Sequence, residues 1–128
     1  HQVGWIMGAF FMLKREIYSK IGGFDENIFM HMEEVEWCKR IRGRGYKIWY
    51  VPQVSVIHLH GASTNFDLSS SFLNELKGIK YYLLKHYRFF YFPVKLLLII
   101  GLIMRIVVFS VLGKTKRARI YMEGLRVV

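Results

Sequence analysis

The stretch 89–113 constrains the fold most. It is almost continuously apolar, with Lys95 and Arg105 as its only charges. Its uninterrupted part, 96–104, is short of the ~20 apolar residues that a membrane-spanning helix needs. The whole stretch is long enough, but a mid-helix arginine costs roughly 2.5–3.5 kcal/mol on insertion scales. Three placements compete: a helix or helix pair lying in the membrane interface, a tilted span that snorkels its charges, or a buried helix packed on another part of the protein. The basic cluster Lys114, Lys116, Arg117 and Arg119 favours the interface, because anionic lipid attracts it.

Charge divides the chain in two. The net formal charge is +10; residues 1–60 hold a balance of +2 and residues 61–128 a balance of +8. The basic half therefore calls for an anionic partner. Nucleic acid is not the expected one, since the aromatics sit in apolar runs and no nucleic-acid-binding motif occurs. An apolar content of 53% exceeds the ~45–50% usual for a soluble domain. The single cysteine, Cys38, allows no internal disulfide and suits a reducing compartment. The chain starts at His1 with no signal-peptide pattern, and is expected to be a piece of a longer protein.

Along the chain, residues 4–13 read as a buried strand or turn-strand. Residues 14–21 form a short amphipathic helix that ends at Gly22-Gly23. A turn at 24–27 follows, with Asp25 and Asn27 suited to bonding the local backbone. The second helix begins near Met30 and stops near Gly43-Arg44-Gly45, with Met32, Val35, Cys38 and Ile41 spaced to face a core. Residues 46–51 read as a strand, Pro52 breaks it, and 54–60 read as another with His58 and His60 on one face. A polar boundary at 61–71 divides an N-terminal unit, 1–65, from a helical, basic tail, 66–128. In the tail, residues 72–87 have a helical apolar pattern with Ser71 as its cap.

The most acidic site is the start of the second helix, Glu33-Glu34-Val35-Glu36. Taken alone, Glu33 and Glu34 need do no more than complement the helix dipole. Glu36 stands four residues before Arg40, the favourable order for a helical ion pair.

Several pieces in order carry a resemblance. They are Gly8-Ala9-Phe10-Phe11-Met12-Leu13, Ile21-Gly22-Gly23-Phe24-Asp25-Glu26, residues 29–40, Gly45-Tyr46, Pro52, and His58 with Gly61 and Ser63. The set, over about residues 3–65, resembles the C-terminal half of the catalytic domain of family 2 glycosyltransferases. The rhamnosyltransferase-like members that build bacterial cell-surface polysaccharides look nearest. The resemblance implies an α/β (α+β) class with a GT-A fold, followed here by long C-terminal helices. It also implies a nucleotide-sugar donor, a glycan or lipid-linked acceptor, and a divalent cofactor, Mg²⁺ or Mn²⁺. The expected location is the cytoplasmic face of a bacterial cell membrane, on an anionic surface.

By resemblance the family's Glu-Asp pair falls on Glu33-Glu34, making Glu34 the candidate base and Glu33 its alternative or partner. The family's next Asp falls on Glu36, so both aspartates are glutamates here. His58 matches a histidine that helps bind metal in some relatives; a partly buried strand histidine is the plain alternative. Trp5, Gly8 and Arg40 are candidate substrate-binding positions, with a core tryptophan the alternative for Trp5. The family's Asp-x-Asp metal motif is absent, since Asp25 and Asp67 are the only aspartates. The donor-binding half is thus expected outside this chain, which alone is not expected to be a working enzyme. A reading from another class is a basic membrane-binding or interaction module with no catalysis.

Overall fold

The computed structural model describes residues 1–59 and 68–128. In order the elements are β1 (Gln2–Val3), α1 (Arg15–Ile21), α2 (Glu33–Gly43), β2 (Ile48–Trp49), α3 (Leu68–His86), α4 (Arg88–Val111) and α5 (Thr115–Val127). Helix dominates, and the mixed class rests on a small antiparallel sheet pairing Gln2 with Trp49 and Val3 with Ile48. Tyr50 N–H donates to the His1 carbonyl at 2.9 Å and continues that ladder by one step.

Of the strands expected over 4–13, 46–51 and 54–60, only the second leaves a piece, Ile48–Trp49; residues 4–13 and 54–59 form no strand, and β1 lies just before the first of these stretches. A strand needs a neighbour to accept its backbone bonds, and apolar alternation says nothing about whether one stands alongside. His60, Gly61 and Ser63 lie outside the described residues.

The first core joins Trp37, Cys38 and Ile41 of α2 to Ile48 of β2, with Val3, Ile6, Phe11 and Leu13 packed round them. Trp37 takes the place expected of Val35. Its ring sits 4.9 Å from Phe11 and 4.8 Å from Phe24, and its indole N–H donates to the Gly22 carbonyl at 2.8 Å.

The second core is helical. Leu76 of α3, Leu102 of α4 and the C-terminal Val128 are buried together, flanked by Phe72, Leu98 and Tyr121. The chain reverses between α4 and α5 at Gly113, whose φ is 68°. Lys114 N–H donates to the Phe109 carbonyl and Gly113 N–H to the Ser110 carbonyl, the two bonds of a Schellman ending. Helix α5 then runs back along α4: Tyr121 stacks on Phe109, and Tyr91 O–H donates to the Val128 carbonyl at 3.1 Å.

Candidate functional site

Two left-handed residues, His31 (φ 65°) and Met32 (φ 76°), lead into α2. Such backbone costs on the order of 1–3 kcal/mol per non-glycine residue unless its surroundings enforce it. Helix α3 does the enforcing. His31 Nε2 and Ser71 Oγ are hydrogen-bonded at 2.6 Å. Gly78 faces the same turn, and a Cβ there would lie 2.7 Å from the His31 carbonyl oxygen. Ser71 is therefore an interior residue of α3 that braces the turn, and not the helix cap that the sequence suggested.

The strained turn places the acidic pair. Met32 gives α2 no side-chain cap, and the amides of Glu34 and Val35 bear on the Glu34 carboxylate. Among the described residues, Glu33 Oε2 and Glu34 Oε2 are buried without a hydrogen-bond partner. Gly8 lies against Glu34, where an added Cβ would be 3.7 Å from the Glu34 Cβ. Burial pushes the Glu34 carboxyl above its ordinary value. Its own backbone amide pulls the other way, the charge of Glu33 adds to the rise, and His31 and the Val35 amide oppose it. Desolvation thus outweighs the helix terminus, a balance the sequence left open.

Two residues further on, the opposite arrangement holds. Glu36 is fully buried. Its Oε2 accepts from Arg40 Nε at 2.8 Å, and its Oε1 accepts from Lys85 Nζ at 2.7 Å and lies 3.1 Å from His86 Nε2. Burial alone would raise this carboxyl, but hydrogen bonds from Lys85, Arg40 and His86 outweigh it and hold it below its ordinary value. Asp25 joins the same cluster by accepting from Lys85 and from Tyr81 O–H. The Lys85 ammonium, first among several donors, holds Asp25 well below the usual carboxylate range.

The other expected site residues fall in different places. Arg40 spends its guanidinium on Glu36 and on the carbonyls of Ile21 and Gly23, at 2.8 and 2.6 Å. It braces the end of α1, with each of its three guanidinium nitrogens making one of these bonds. Trp5 is half exposed and, with His58, lines an apolar hollow of 1050 Å³ that also takes in Phe10, Tyr46 and Trp49. Glu33 and Glu34 are not part of that lining. Among the described residues no group of three His, Cys, Asp or Glu side chains gathers to hold a metal, so these residues do not by themselves fit a divalent-ion centre. Cys38 is buried in the first core, as its helical position implied, and burial pushes its thiol up.

Sequence reasoning missed His31, Ser71, Gly78, Lys85 and His86. The signal for His31 was its place two residues before the acidic pair; the α3 residues gave none, because they meet α2 from 40 or more positions away.

Part of the chain is similar to rhamnosyltransferases, a class of glycosyltransferase. The N-acetylglucosaminyl-diphospho-decaprenol L-rhamnosyltransferase of Mycobacterium tuberculosis is 38% identical over 68 residues, 53% of this chain and 22% of that protein. Rhamnosyltransferase WbbL of Escherichia coli is 30% identical over 81 residues, 63% of this chain and 31% of that protein. The dTDP-rhamnosyl transferase RfbF of Shigella flexneri is 28% identical over 50 residues, 39% of this chain and 17% of that protein. The chain thus spans less than a third of the length of each of these curated relatives. No family model matches the chain, and no solved structure does.

Proposed function

We propose that the chain is the acceptor-side part of an inverting, family 2, GT-A glycosyltransferase, with Glu34 as its general base. The reaction moves a sugar, rhamnose by analogy with the relatives' names, from a nucleotide diphosphate to a hydroxyl of a lipid-linked glycan. The observation that carries this reading is the sheltered Glu34 Oε2, which has no hydrogen-bond partner among the described residues. A base must accept a proton during attack, and a carboxylate already bonded to cations does so poorly. Glu36 is saturated and Glu34 is not.

The step balances simply. The acceptor oxygen forms a bond to the anomeric carbon from the face opposite the diphosphate. Its proton passes to Glu34 Oε2, and the carbon–oxygen bond to the diphosphate breaks, with the electron pair leaving on phosphate oxygen. Burial that raises the Glu34 carboxyl strengthens it as a base. Glu33 lies about 100° round the helix, so it cannot serve the same oxygen equally well.

The test is made in the full-length protein that carries this chain, with a nucleotide-sugar donor and a lipid-linked acceptor. Glu34→Gln is expected to keep the fold and donor affinity and to cut turnover by at least about 10²-fold, the lower end for loss of a general base. Normal turnover in Glu34→Gln with a dead Glu33→Gln moves the base by one residue. Activity in both variants ends the catalytic reading of this helix start.

A further inference from the structure

We infer that α4 lies flat in one leaflet of an anionic bilayer, its outer face in the acyl boundary, and does not cross the membrane. This goes beyond the glycosyltransfer reading and stands without it. Helix α4 is long and apolar enough to span, yet only 6% of its most apolar window is buried. Phe89, Phe92, Leu96, Ile103, Val107 and Val111 fall on one side of the helix and are 47–96% exposed. No charge interrupts this stripe. At about 100° per residue, Lys95 lies about 105° from the stripe's centre and Arg105 nearly opposite it, about 170° away. Lys95 Nζ is 5.8 Å from the Tyr91 ring centroid, and Arg105 donates to the Gly101 carbonyl at 3.1 Å.

The packing of α5 decides between lying and spanning. Helix α5 runs antiparallel along α4, from Phe109 beside Arg117 and Tyr121 to Tyr91 beside Val128. It carries Lys116, Arg117, Arg119, Glu123 and Arg126 in that length, all exposed. Lys80 of α3 donates to the Val127 carbonyl at 2.9 Å, so α3 is alongside too. A spanning α4 would drag these charges into hydrocarbon, where each is costly. An α4 lying flat, with α3 and α5 on its solvent side, leaves every one of them in water. Arg88 at one end of α4, and Lys114 and Lys116 at the other, supply the positive charge that anionic headgroups attract.

Flotation with sealed vesicles and thiol labelling test the inference with no sugar donor present. The intact protein is expected to float with vesicles of phosphatidylcholine and phosphatidylglycerol, and less in high salt. Leu96→Glu with Val107→Glu is expected to cut the bound fraction at least about tenfold, because each places a charge in the acyl boundary. Met122→Glu, on the outer side of α5, is expected to leave it unchanged. Arg88→Cys and Lys114→Cys, at the two ends of α4, should both react from outside with a membrane-impermeant reagent; Cys38 is buried and serves as the background. Protection of one end until detergent is added overturns the inference in favour of a span. Unchanged vesicle binding by the stripe glutamates overturns it. So does a lipid-free dimer that the same glutamates dissociate, with no vesicle binding, since a second copy then covers the stripe.

Discussion

Glu34 and Glu36 stand two residues apart on one helix and meet opposite surroundings. Glu36 is fully buried and is held by Arg40, Lys85 and His86; Glu34 is partly buried, and its Oε2 has no partner among the described residues. Burial acts to raise both carboxyls, but only Glu36 has enough donors to reverse it. Glu36 joins α2 to α3 through Lys85 and His86, whereas Glu34 keeps one oxygen unbonded among the described residues. Two carboxylates on one helix start can thus meet opposite fates, with charge alone giving no sign of which is which.

The comparison breaks most severely if Glu36 is dispensable. Glu36→Leu removes the shared anion and leaves Arg40, Lys85 and His86 facing one another. Loss of one side of a buried pair costs about 3–5 kcal/mol, and the lower end applies here because Arg40 and Lys85 are 23% and 32% exposed and recover some water. Denaturant melts should show a loss of about 3 kcal/mol. A change under about 0.5 kcal/mol, the range of ordinary surface substitutions, would mean that the cluster does not join α2 to α3.

The brace behind the acidic pair comes next. Gly78→Ala puts a methyl 2.7 Å from the His31 carbonyl, a backbone atom that can move only if the turn moves. Overpacking of this kind costs about 1–3 kcal/mol. The expected outcome is a loss near the middle of that range, with a shift in the His31 ring resonances. Ser71→Ala removes one side-chain bond to the same turn and should cost about 1 kcal/mol. Equal, negligible losses in both variants would show that the left-handed turn holds itself without α3.

What the sequence made legible follows from range. The ends of α1 and α2, the Glu36–Arg40 pair and the helices α3 and α4 are set by residues within about one turn of each other, through glycine endings, spacing and apolar periodicity, whereas α5 shows in the sequence only as a basic cluster. Trp37 packing, the His31–Ser71 bond and the Lys85 and His86 contacts join positions 13 to 50 apart, and no local pattern encodes them. The expected strands failed for a related reason. Val54, Val56 and His58 alternate as a strand should, but alternation records a face to be covered, not a partner to pair with. The acidic pair was visible by resemblance and the Glu36–Arg40 pair by spacing; that Lys85 and His86 of α3 would also close on Glu36 was not.

The smallest expected effect sharpens the comparison most, because its sign is opposite for the two carboxyls. The Asp25 and Glu36 carboxyls are lowered in the folded state, so their stabilisation is present above the ordinary carboxylate values of about 4 and is lost as pH falls through the folded ones. The Glu34 carboxyl is raised, so the folded protein holds its proton longer than the unfolded chain does. Stability then declines as pH rises from about 4.3, the ordinary glutamate value, through the raised one, and the penalty is full above it. Glu34→Gln removes that penalty. At neutral pH it should stabilise the fold, by less than about 1 kcal/mol because the site is only half sheltered. The gain should fade as the pH is lowered toward about 4.3, where wild-type Glu34 is itself protonated. Melting curves of the two proteins across that interval check it. A gain that does not change with pH would assign the effect to packing, and a loss of stability at neutral pH would mean that the Glu34 carboxylate has found a partner after all.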